Sequence, residues 1–101
     1  MTPASKTVAL VVRGPTWHDD LPIREQSEIG GHLAFMVDLV HTGVLEAAGP
    51  FFQTPDERLD GELVGLVVFP DADPETARRV LEDDPARAAG TVDYQVLPWY
   101  Q

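Results

Sequence analysis

The chain has 101 residues and a hydrophobic fraction of 44%, enough for one small core and a single domain spanning residues 1–101. Seven basic against 17 acidic residues leave a net charge of −10, which argues against nucleic acid and anionic membrane surfaces as partners, since both need clustered Lys and Arg. Cysteine is absent, so disulfides, thiolate chemistry and cysteine zinc sites are excluded.

Residues 1–5 read as a frayed start. The apolar run that follows is too short for a signal-peptide core, and no stretch approaches a membrane span, so a soluble cytoplasmic protein is expected. Residues 7–12, TVALVV, are rich in β-branched side chains and predict a strand, stopped by Gly14-Pro15. Residues 15–22, PTWHDDLP, form an irregular loop pinned by Trp17. His18, Asp19 and Asp20 are metal-type donors without regular spacing. The loop is therefore expected to rim a pocket through Trp17 and His18 and to hold no metal.

A helix is predicted over residues 24–42, with Ser27 as a plausible N-cap. Ile29, Leu33, Met36 and Val40 repeat at helical spacing, and Phe35 and Leu39 widen the stripe. At about 100° per residue His32 falls inside this apolar arc, while Asp38 and His41 fall opposite. Gly30-Gly31 weakens the helix entry, or lets another group approach closely. Gly43 supplies the stop.

A short second strand covers residues 44–48 and ends at Gly49-Pro50, followed by Phe51-Phe52. Residues 53–61, QTPDERLDG, are polar turn material and the expected mobile loop. The third strand covers residues 62–69, where Gly65 suggests a bulge or a close backbone neighbour. Asp73 and Pro74 are a good N-cap and first helical residue for a second helix over residues 74–83. Asp84-Pro85 breaks it, and residues 86–89 add an extra turn. Residues 91–97, TVDYQVL, alternate and predict the fourth strand, and Pro98-Trp99 closes the chain.

The order β-α-β-β-α-β is that of the ferredoxin-like split unit, an α+β fold with two helices on one face of an antiparallel sheet. Nothing in the chain covers the other face, although the first and third strands are apolar throughout. A second copy is the simplest cover, which predicts a homodimer joined face to face.

His32-Leu33, Gly43-Val44-Leu45, Ala48-Gly49-Pro50, Asp84-Pro85, Ala89-Gly90 and Pro98-Trp99, in this order and topology, resemble the YciI-like (YCII-related) family. The resemblance implies a dimeric α/β barrel and an active site using His32 and Asp84. It also implies kinship with degradative enzymes, among them a dehydrochlorinase of aromatic catabolism. The sequence departs from the family at Gly30-Gly31, where a basic residue is common, and at Ala86, where an aromatic is common. Both changes would alter the pocket.

A carboxylate that accepts a hydrogen bond from one imidazole nitrogen fixes the tautomer and leaves the other nitrogen to exchange a proton near neutral pH. His32 and Asp84 are thus candidate catalytic residues for proton abstraction, elimination or isomerisation, with no nucleophile and no cofactor called for. Trp17, His18, Gly49, Pro50 and Phe51 are candidate contacts for a small-molecule ligand between helix, sheet and Gly-Pro turn. Residue types alone leave open a core histidine satisfied by a buried aspartate, and Asp83 is a rival partner. They also leave open a non-catalytic small-molecule-binding or accessory dimer of the same fold. A cofactor-free oxygenase or a muconolactone isomerase relative is disfavoured by the ordered motifs.

Overall fold

The computed structural model describes residues 5–51 and 63–100. Four antiparallel strands form one sheet: β1 (Ser5–Arg13), β2 (Ala47–Pro50), β3 (Leu63–Phe69) and β4 (Val92–Tyr100), in the order β2-β3-β1-β4. Three helices accompany it: α1 (Ile29–His41), α2 (Pro74–Leu81) and α3 (Pro85–Ala88). A 3-10 turn, Ile23–Glu25, precedes α1.

The period of two along β1 divides the sheet into faces. Thr7, Ala9 and Val11 point into the core, opposite Phe69, Val67 and Gly65 on β3. Met36 of α1, Ala77 and Leu81 of α2, and Ala86 of α3 cover them. Phe69 and Leu81 are fully buried, each worth about 1.5–3 kcal/mol of transfer free energy. Val8, Leu10 and Val12 point the other way, beside Leu66 and Val68 on β3 and Leu97 on β4. Leu97 and Trp99 on this side are 47% and 43% exposed.

Gly65 has both features its sequence context suggests. The β1–β3 register shifts between Val11 and Val12, and a Cβ on Gly65 would lie 2.5 Å from the Gly49 carbonyl oxygen.

Several boundaries differ from those read in the sequence. Ser27 is not the N-cap of α1. Its carbonyl is taken by the Thr91 hydroxyl at 2.8 Å, and Glu28, left-handed at φ 59°, turns the chain into the helix. The apolar stripe of α1 is only partly covered: Met36 is buried, whereas Leu33 and Val40 are exposed. The second strand is Ala47–Pro50, not residues 44–48. Leu45 is instead drawn into the core, its N–H donating to the Leu39 carbonyl, and pairing with β3 begins as Glu46 N–H donates to Val68. Pro50 fits inside β2 and Pro98 inside β4 because both lie on edge strands, where a missing N–H breaks no ladder. The loop expected over residues 53–61 lies outside the described residues.

Candidate functional site

His32 enters the site on the first turn of α1, where its N–H donates to the Glu28 carbonyl at 2.9 Å. Gly31 lets this turn come close to α3: a Cβ there would stand 2.9 Å from Pro85 Cγ. Asp84 is placed by the break between α2 and α3. As N-cap of α3 it accepts the Ala86 N–H on Oδ1 at 2.9 Å, with Pro85 at the first helical position.

The remaining oxygen of Asp84 faces α1. Its Oδ2 lies 2.7 Å from His32 Nδ1 and also accepts the Tyr94 hydroxyl from β4. Asp84 is wholly buried and the His32 side chain is 17% exposed. Burial pushes the Asp84 carboxyl up. Hydrogen bonds from His32 and Tyr94, the His32 charge and the Ala86 N–H outweigh burial and hold the carboxyl below its usual range. An ionised carboxylate only accepts, so His32 Nδ1 carries the proton in this bond and Nε2 is the nitrogen left for exchange. Burial first, then the hydrogen bond and charge of Asp84, push the Tyr94 hydroxyl far above its ordinary range, so it stays a donor. The 3.5 Å approach of Tyr94 to His32 Nδ1 joins two donors and is not a working hydrogen bond.

His32 stands on the wall of a cavity of about 460 Å³ between α1 and the β2–β3 end of the sheet. Ile23, Ile29, Leu33, Met36, Val64 and Val67 give it an apolar lining, and among the described residues Arg24 is the one other ionisable residue there. Gly49 and Pro50 line it as well, through the backbone of edge strand β2. Phe51, 39% exposed just beyond Pro50, is not among the lining residues.

Trp17 and His18 do not line this cavity either. Gln26 holds their loop elsewhere: its Oε1 accepts the His18 N–H at 2.9 Å, and its Nε2 donates to the His18 and Leu21 carbonyls. Trp17 packs against the core and His18 is exposed. Among the described residues no three His, Asp or Glu side chains converge where a metal ion would bind, and no helix is long and apolar enough to cross a membrane.

Tyr94 is the residue that the sequence did not single out. Alternation along TVDYQVL places it on the inward side of β4, and there it reads as an ordinary core aromatic. Only the register that sets it opposite Val11 brings its hydroxyl to Asp84.

Comparison with solved structures gives a similar fold in the 5-chloro-2-hydroxyhydroquinone dehydrochlorinase TftG from Burkholderia phenoliruptrix AC1100, in complex with 2,5-dihydroxybenzoquinone. The TM-score is 0.55 with 21% identity, over 91% of this chain and 92% of that one. No curated protein matches the chain. The profile of the YCII-related domain matches residues 16–100. That match spans most of the sequence, and the chain therefore belongs to the YCII-related domain family.

Proposed function

We propose that this chain is a small acid–base enzyme in which His32 exchanges a proton with a small molecule held in the apolar cavity. The observation that carries the reading is the 2.7 Å contact of His32 Nδ1 with the buried Asp84 carboxylate, made by a histidine on the cavity wall. Asp84 fixes the tautomer and stabilises the imidazolium formed when Nε2 accepts a proton. Held ionised by three donors, it is a poor proton carrier itself, so His32 acts as both base and acid.

The step is an elimination or isomerisation. A C–H or O–H proton of the substrate passes to Nε2, and the released electron pair either expels a leaving group or shifts to a neighbouring carbon. His32 then returns the proton to the product or to water. In an elimination of the dehydrochlorinase type, proton and chloride leave together as net HCl. Kinship at the level of fold with such an enzyme supports this class, as does a cavity fit for a mostly apolar molecule.

The reading includes a cytoplasmic homodimer of one ferredoxin-like domain per chain. The strand order β2-β3-β1-β4 with antiparallel pairing suits that split unit. The apolar sheet face carrying Val8, Leu10 and Leu97 suits cover by a second copy, closing a dimeric α/β barrel.

The test begins with 5-chloro-2-hydroxyhydroquinone and related chlorinated and unchlorinated phenols, following chloride release and ring absorbance. Turnover abolished by both His32→Ala and Asp84→Asn, in protein that stays folded, is the expected result. Ligand binding without turnover, unchanged by His32→Ala, would assign the chain to the accessory binding role instead.

A further inference from the structure

Asp84 Oδ2 serves two donors at once, His32 Nδ1 from α1 and the Tyr94 hydroxyl from β4. Two donors on one oxygen compete for its charge, so strengthening one bond weakens the other. Tyr94 is not among the residues lining the His32 cavity. It lines a separate groove of about 100 Å³ with Arg78, Glu82, Arg87 and Asp93. Its hydroxyl donates to Asp84 and makes no working hydrogen bond to His32, so its effect on chemistry in the cavity runs chiefly through Asp84.

We infer that Tyr94 is a positioning residue which, by sharing Oδ2, sets how strongly Asp84 holds the Nδ1 proton of His32. The geometry gives it two tasks. Its bond from β4 and the Ala86 N–H on Oδ1 pin the carboxylate from two sides, so that Oδ2 stays turned to α1. Its donation also draws off part of the carboxylate charge that His32 would otherwise receive. Arg87 and Asp93 act on Tyr94 from the groove side with opposite signs. On the cavity side Arg24 is, among the described residues, the other ionisable group lining the wall with His32, and Glu28 precedes the helix.

The inference rests on His32 as the proton carrier, but its test needs no substrate. The Nδ1 proton resonance of His32 is followed by NMR in the wild type, in Tyr94→Phe, and in Tyr100→Phe protein carrying 3-fluorotyrosine or 3,5-difluorotyrosine at position 94. Fluorination acidifies the phenol and makes it the stronger competitor without removing the ring. The expected order runs from Tyr94→Phe, furthest downfield, through the wild type to the monofluoro and then the difluoro protein. If Tyr94→Phe does not fold, the order within the fluorinated series decides alone. A resonance that ignores these changes, or moves in the reverse order, overturns the inference. Turnover that survives His32→Ala would sink the acid–base reading while leaving this order untouched.

Discussion

His32 and Asp84 stand 52 residues apart in the chain and 2.7 Å apart in space. The contact joins the first turn of α1 to the N-terminus of α3, two helix ends that meet where Gly31 faces Pro85. Each side chain answers a need of the other. The imidazole must be satisfied beside an apolar wall, and the carboxylate, wholly buried, needs donors to remain charged.

Acid should destabilise the protein partly through Asp84. Its carboxyl is held below the usual range in the folded state. The stabilisation is therefore fully present above the unfolded value, about 4, and is lost as pH falls through the lower folded value. Asp84→Asn should cost about 1–3 kcal/mol at neutral pH and flatten the acid limb of the stability curve. Urea midpoints measured from neutral pH downward check this; parallel curves for the two proteins would refute it.

Alkali should act through Tyr94 with the opposite sign. Its folded-state value is raised, so its contribution is present below the unfolded value, about 10, and fades as pH rises above it. In Tyr100→Phe protein, phenolate absorbance should appear only as the chain unfolds. Phenolate formed while circular dichroism stays native would show that Tyr94 is not held by Asp84.

The adjacent glycines should respond differently to alanine. Among the described residues a Cβ on Gly30 meets nothing within 4 Å, so Gly30→Ala should stabilise by up to about 1 kcal/mol through helix propensity. At Gly31 the new Cβ would lie 2.9 Å from Pro85 Cγ and 3.2 Å from Glu28 Oε2, which should cancel or reverse that gain. Thermal melts of the two variants decide, and equal gains would contradict the close approach of α1 to α3.

The open sheet face should be an interface. Sedimentation at micromolar concentration should give about twice the 11.1 kDa monomer mass. Leu97→Asp, placed opposite Val8 on that face, should shift the protein towards monomer. A wild type that sediments as a monomer would remove the argument from the apolar strands.

Local signals in the sequence told most where one residue type has one strong use. Asp73-Pro74 begins a helix as its chemistry requires, Asp84-Pro85 breaks the chain between α2 and α3, and TVALVV lies within the central strand. Reading failed where tertiary partners decide. The N-cap position of α1 falls on left-handed Glu28 and not on Ser27, and Pro50 and Pro98 sit inside strands because those strands are edges. Trp17 and His18 are not among the residues lining the cavity, and Gln26 binds the backbone of His18 and Leu21. The histidine was legible as an apolar-stripe residue in need of a partner. That Asp84 rather than Asp83 answers it follows from the α3 cap. Tyr94 was hidden, because a core aromatic and a hydroxyl donor to a buried carboxylate look alike in an alternating strand.

Asp84 should fix His32 with its proton on Nδ1 and leave Nε2 to exchange with a ligand. Long-range proton–nitrogen NMR of the imidazole measures this directly, with neutral His32 in the wild type and in Asp84→Asn. The expected result is the Nδ1–H tautomer in the wild type and its loss or mixing in Asp84→Asn. A wild-type His32 protonated on Nε2, or one whose tautomer ignores the Asp84 substitution, would contradict it.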